Sequence, residues 1–144
     1  MNSEKYILET RMLRLKKLPK KNAVPYEDQE QLLAVKWLAR NDIPFYFIPN
    51  GGKRNLLEAI KFKSLGVKAG IPDLCIPVAK QNFHGLYIEL KRRKGGKVSK
   101  SQHYWLQQLV YQGYDCFVAM GADDLIAYVK NYMGIQDEQN KAKS

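Results

Sequence analysis

The chain has 144 residues, enough to bury a hydrophobic core yet short enough that one domain is expected. Hydrophobic residues at 45% and charged residues at 26% fit an ordinary globular domain, and no apolar run approaches the roughly eighteen residues of a membrane-spanning helix. The 24 Lys and Arg against 14 Asp and Glu give a formal net charge of +10, which points to a polyanionic partner.

The first 25 residues form a basic arm, with Lys5, Arg11, Arg14, Lys16, Lys17, Lys20 and Lys21 against only Glu4 and Glu9. Residues 26–134 read as the folded domain, and 135–144 as a disordered tail. From Tyr26 to Asn41, Leu32, Leu33, Val35, Trp37, Leu38 and Ala39 predict an amphipathic helix with acidic residues in its first turn, where they suit the helix dipole. Phe45 to Ile48 reads as a strand running into the loop Pro49-Asn50-Gly51-Gly52, and Leu56 to Leu65 as a short helix ending near Gly66. Pro72 to Val78 and Leu86 to Lys91 predict two strands joined as a hairpin through Gln81, Asn82 and Gly85. Ser99 opens a helix with the stripe Trp105, Leu106, Leu109 and Val110, which stops at Gly113. Tyr114 to Met120 reads as a strand, and Asp123 or Asp124 caps a last helix carrying Leu125, Ile126, Val129, Tyr132 and Met133. This order predicts an α/β fold, a mixed central sheet flanked by helices.

Side chains alternate along a strand, so Glu89 and Lys91 point to one face while Ile88 and Leu90 point to the other. If the two central strands pair as a hairpin, Asp73 comes beside Glu89. Two neighbouring carboxylates repel unless a cation lies between them, and hard oxygen ligands suit Mg²⁺ or Mn²⁺. Such an ion can hold a phosphate, lower the pKa of a bound water and offset charge on the phosphate oxygens, with Lys91 orienting the water or stabilising that charge. The alternative is that Asp73 is a turn residue and Glu89 and Lys91 a solvated stripe. The apolar residues around them argue for central strands, where isolated charges are costly.

Gly70-Ile71-Pro72-Asp73 followed by Ile88-Glu89-Leu90-Lys91 resembles the PD-(D/E)xK nuclease signature. More narrowly, the chain resembles the VRR-NUC branch, with Glu27 to Glu30 as its leading acidic helix, Pro49 to Gly52 as its loop, and Ser99 to Gln102 as its Ser-x-x-Gln helix. The resemblance covers roughly residues 26 to 133. It implies a restriction-endonuclease-like core in which Asp73 and Glu89 bind Mg²⁺ or Mn²⁺, the Leu90 carbonyl is a further ligand, and Lys91 assists the chemistry. It also implies a third acid, from the leading helix, to complete the site. Of Glu27, Asp28 and Glu30, we choose Glu30, because Gln29-Glu30 matches the family's Gln-Glu pair. Stand-alone members resemble Holliday-junction resolvases and tend to be homodimers, which implies a branched or flap-like DNA substrate and the cytoplasm of a bacterial or phage-infected cell.

Gln102 heads the apolar stripe of its helix and is predicted to face the catalytic strand, although Ser99-Lys100-Ser101-Gln102 also matches a capping box that would turn Gln102 back on its own helix end. Arg92, Arg93, Lys94, Lys97 and Lys100 follow the catalytic strand, and Lys53, Arg54 and Lys68 precede the Asp73 strand. Both clusters read as phosphate contacts that release counterions. Cys75 and Cys116 read as buried thiols and the two histidines as packing residues. No P-loop, dinucleotide-binding or serine-hydrolase motif is present. The residues therefore predict a metal-dependent DNA endonuclease, and in second place a basic DNA-binding module whose acidic pair is structural.

Overall fold

The structure is a computed structural model, and it describes residues 24–50 and 55–137. Residues 1–23 of the basic arm, residues 51–54 with Lys53 and Arg54, and the last seven residues lie outside them.

Helix α1 spans Glu27–Arg40, with Glu27, Asp28 and Glu30 in its first turn. The Gln29 side chain accepts the Tyr26 N–H at 2.9 Å, closing the helix start. Its buried residues are Glu30, Ala34, Val35 and Leu38. The expected stripe is thus rotated: Leu33 and Ala39 are exposed, because the face that meets the sheet follows Glu30, Ala34 and Leu38 at successive i+4 steps. Strand β1, Tyr46–Phe47, is followed by helix α2, Leu56–Ser64, which the Asn55 side chain caps through the Glu58 N–H at 2.8 Å. Helix α2 buries none of its residues, and Leu57 is 79% exposed.

Strand β2 is shorter than expected, Leu74–Ile76, and leads through a tight turn into β3, Leu86–Lys91. Gln81 and Asn82 both have positive φ, 52° and 67°, and Phe83 N–H donates to the Lys80 carbonyl at 2.8 Å. Two successive left-handed residues match the twist of a hairpin, so this polar pair does the work expected of it. Helix α3 spans Lys100–Tyr111, β4 Asp115–Met120 and α4 Ala122–Met133. The four strands form one sheet in the order β1-β2-β3-β4, antiparallel except for the parallel pair β3-β4. This is the mixed sheet flanked by helices that the element order predicts.

The alternation in β3 divides the sheet into two unlike faces. Leu86, Ile88 and Leu90, with Leu74, Ile76 and Ala119, join Ala34 and Leu38 of α1 and Leu125, Val129 and Tyr132 of α4 in the buried core. Tyr87, Glu89 and Lys91 point to the opposite face, where α3 reaches β3 through Gln102. Burying the large apolar side chains on the first face, at about 1.5–3 kcal/mol each, fixes the strand register and so fixes which residues face away from the core.

Two expectations change at the end of the chain. The N-cap of α4 is Gly121, in the positive-φ region at 96°, with no side-chain cap of its own. Neither aspartate serves there: Asp124 accepts the Met120 N–H at 2.8 Å, and the Ala122 N–H is taken by Glu30 at 2.6 Å. Asp124 and Asp115, which accepts the Cys116 N–H at 3.0 Å, thus occupy outward donors of the edge strand β4 and blunt it against strand addition. Order also continues past Gly134, since Ile135 packs against the core and Asp137 pairs with Lys130 at 2.6 Å.

Candidate active site

The register Leu74↔Ile88 and Cys75↔Tyr87, continued by one step, brings Asp73 opposite Glu89. Asp73 lies just beyond the end of β2, and its carboxylate replaces the next rung of the ladder: Oδ2 accepts the Leu90 N–H at 2.8 Å, while its carbonyl accepts the Ile48 N–H at 2.7 Å from the β1 side. A residue's N–H and C=O point to the same edge of a strand, so the Leu90 carbonyl also faces the space beside Asp73. Asn50, from the loop after β1, donates to the Ile71 carbonyl at 2.9 Å and ties down the approach to Asp73.

Glu89 is only 2% exposed. One carboxylate oxygen, Oε1, is held twice, by the Lys91 ammonium at 2.9 Å and by Gln102 Nε2 at 2.6 Å. The other, Oε2, is buried without a hydrogen-bond partner. Burial pushes the Glu89 carboxyl from its ordinary 4.5 to about 7, with the Lys91 hydrogen bond opposing the rise and the Asp73 charge adding to it. Asp73 is raised as well, again by burial, against the lowering effect of the Leu90 N–H and of Lys91.

Gln102 makes both of its expected contacts at once. Its side-chain oxygen accepts the Ser99 N–H at 2.8 Å while its own N–H donates to Ser99 Oγ at 3.2 Å, and its amide nitrogen reaches Glu89. A primary amide has an acceptor end and a donor end, so the helix cap orients the group that holds the carboxylate. Gly70 makes this approach possible. A Cβ there would lie 2.5 Å from the Ser101 carbonyl carbon, and its φ of +88° suits only glycine.

Glu30 is not brought to this pair. It is wholly buried, and both oxygens are occupied: Oε1 by Arg93 Nε at 2.6 Å, and Oε2 by Arg93 Nη2 at 3.2 Å and the Ala122 N–H. Burial raises its pKa, but the Arg93 and Ala122 hydrogen bonds outweigh this and leave it below the ordinary value. The acid of α1 that feels the site is Glu27, one turn earlier. Loss of water raises its pKa, the Asp73 charge adds to the rise, and Lys91 pulls it down. Sequence spacing did not separate the two glutamates, because i and i+3 share a helix face. What separates them is the depth at which each meets its neighbours.

Two of the predicted phosphate contacts are also engaged within the protein. Arg92 donates to the carbonyls of Pro25 and Val24, and Arg93 holds Glu30. Lys68, Lys94, Lys97 and Lys100 are exposed. Among the described residues no three His, Cys, Asp or Glu side chains are arranged to hold a metal by themselves. The available donors are the Asp73 and Glu89 carboxylates and the Leu90 carbonyl. A hard cation that keeps several waters suits that set, and the partnerless buried Glu89 Oε2 fits such an ion.

A model of the VRR-NUC domain matches residues 25–123. The chain belongs to the VRR-NUC family. VRR-NUC domains are nuclease-type domains, which assigns this protein a nuclease role with DNA as its substrate. A solved structure described as a VRR_NUC domain protein is similar over 80% of this chain and 93% of its own length, at 31% identity and a TM-score of 0.68. No curated protein matches the chain. Among the described residues no helix is long and apolar enough to cross a membrane.

Proposed function

We propose that this VRR-NUC protein is an Mg²⁺- or Mn²⁺-dependent endonuclease that hydrolyses phosphodiester bonds of branched or flap-like DNA without a covalent intermediate. The observation that carries this reading is the half-satisfied Glu89 carboxylate. Oε1 is held by Lys91 and Gln102, and Oε2 is buried without a hydrogen-bond partner. A buried anionic oxygen without a donor costs several kcal/mol unless a proton or cation meets it.

Asp73, Glu89 and the Leu90 carbonyl are the groups that would hold the ion, with Glu27 tuning the cluster from the start of α1. When bound, such an ion supplies a water of lowered pKa and a Lewis acid for the phosphate. Lys91, 12% exposed and 2.9 Å from Glu89, keeps a fixed positive charge beside the reacting phosphate and the attacking water. Gln102 keeps Glu89 from rotating away from Asp73. Exposed Lys68, Lys94, Lys97 and Lys100 supply sequence-independent attraction to the DNA backbone, to which Lys53 and Arg54, outside the described residues, would add. The preference for branched DNA and a homodimeric state rest on the resemblance to stand-alone family members. The apolar surface that α2 leaves open is consistent with a second copy.

The test is cleavage of labelled four-way junction, flap and linear duplex DNA with Mg²⁺, with Mn²⁺ and with chelator, alongside Asp73→Ala and Lys91→Ala. Metal-dependent cutting of junction or flap that needs both side chains is expected. Binding of all three DNAs without cutting would make the protein a binding module and overturn the reading.

A further inference from the structure

Arg92 and Arg93 follow the catalytic strand in a basic loop, and their charge alone marks them as phosphate contacts. Both guanidinium groups are instead turned onto the start of α1. Arg92 Nε and Nη2 donate to the Pro25 and Val24 carbonyls, each at 3.2 Å, and its guanidinium carbon lies 5.4 Å from the Tyr26 ring centroid. Arg93 makes a two-pronged contact with Glu30 and lies 3.7 Å from exposed Asp123. Glu30 also takes the first N–H of α4, so the first turn of α1 is joined to the catalytic strand and to α4 at one point. Lys94 and Lys97 in the same loop, and Lys100 at the start of α3, are exposed and have no ion pair among the described residues.

We infer that Arg92 and Arg93 are positioning residues: they bind the first turn of α1 rather than phosphate, and so set Glu27 against Asp73, Glu89 and Lys91. Three acids begin α1 and two more lie on the sheet, so the helix start would be driven away from the site by like charge. The two arginines offset that repulsion from the strand side, one through backbone carbonyls and one through Glu30. Glu27 precedes Glu30 by three residues and shares its helix face, so holding Glu30 and the segment just before Glu27 fixes the backbone that carries Glu27.

This inference rests on reading the Asp73–Glu89 pair as a metal centre, and the experiment separates the two. In the full-length protein, Mn²⁺ binding without DNA is measured by electron paramagnetic resonance. DNA affinity and its salt dependence are measured separately in chelator, for the wild type, Arg92→Ala, Arg93→Ala, Glu27→Gln and Lys94→Ala. Arg92→Ala and Arg93→Ala are expected to weaken Mn²⁺ binding by about tenfold, as loss of groups that orient ligands does, and to leave the DNA salt slope unchanged. Removing a nearby positive charge would by itself tighten cation binding, so weaker binding reports displaced ligands. Combining either change with Glu27→Gln is expected to add little. Lys94→Ala is expected to leave Mn²⁺ binding alone and to reduce the salt slope by about one. Arg93→Ala strands a buried glutamate, whereas Arg92→Ala frees only two carbonyls, so the second variant decides if the first fails to fold. Loss of DNA affinity with unchanged or tighter Mn²⁺ binding would overturn the inference. A wild type that binds no Mn²⁺ would overturn the metal-centre reading beneath it.

Discussion

Glu30 and Glu89 are two buried glutamates in one small domain, and their surroundings treat them in opposite ways. Glu30 has every oxygen engaged, by Arg93 and by a helix N-terminus, and its pKa falls. Glu89 is held on one oxygen and bare on the other, and its pKa rises to about 7. Burial is the same in both cases, so burial does not mark a functional carboxylate. The mark is an unfinished set of partners, because a fold that only needed the charge would have satisfied it.

The comparison is broken most decisively at the chemistry. Glu89→Gln is expected to lower the cleavage rate by on the order of 10³-fold or more, with DNA affinity in chelator retained or raised, as read by single-turnover cleavage and binding isotherms. Equal loss of cutting and of binding would contradict the assignment of Glu89 to the reacting centre.

Stability comes next, and here the two residues should differ in sign. Glu30→Ala removes the partner of Arg93 and of the Ala122 N–H and is expected to cost about 2–4 kcal/mol in urea unfolding. Glu89→Gln removes a carboxylate that the fold disfavours in its charged form, so the metal-free protein should gain up to about 3 kcal/mol at pH 8. The pH dependence follows from the two shifts. Glu89 holds its proton more tightly in the folded state, so the stability it confers is present below 4.5 and is lost as pH rises to about 7. Glu30 holds its proton less tightly when folded, so its contribution is present above 4.5 and is lost as pH falls through its lowered folded value. Unfolding of both variants in chelator across pH 4 to 8 checks both slopes.

Smaller effects sharpen the comparison. Gln102→Ala frees Glu89 Oε1 from one of its two partners and is expected to cost about 10- to 100-fold in apparent metal affinity, read from the Mn²⁺ dependence of cleavage. Ser99→Ala removes only the hydroxyl end of the cap, since the Ser99 N–H still orients the Gln102 oxygen. It is expected to cost about 1 kcal/mol of stability while leaving the metal dependence unmoved. A shift as large as that of Gln102→Ala would mean that the hydroxyl also orients the amide.

Much of this molecule is legible along the chain, since the element order, the hairpin at Gln81-Asn82, the pairing of Asp73 with Glu89, and the common face of Glu89 and Lys91 depend only on alternation, turn chemistry and local register. Those are short-range properties, written in residues a few positions apart. Asn50 reads as a loop residue and Ser99 as a helix cap, and each performs that part while also bracing the Asp73–Glu89 pair. The residues whose contacts could not be read along the chain share one cause. Glu30, Arg92, Arg93 and Asp124 are charged side chains whose partners lie on other elements, up to 92 residues away for Glu30 and Ala122. A charge run shows that charge is present and not what will meet it. Sequence alone therefore determined the pairing of Asp73 with Glu89, because a strand's own geometry aligns it. Only the tertiary structure decided that Glu30 meets Arg93 and the start of α4, and that Arg92 and Arg93 are engaged at the start of α1, because those contacts depend on how α1 and α4 pack against the sheet.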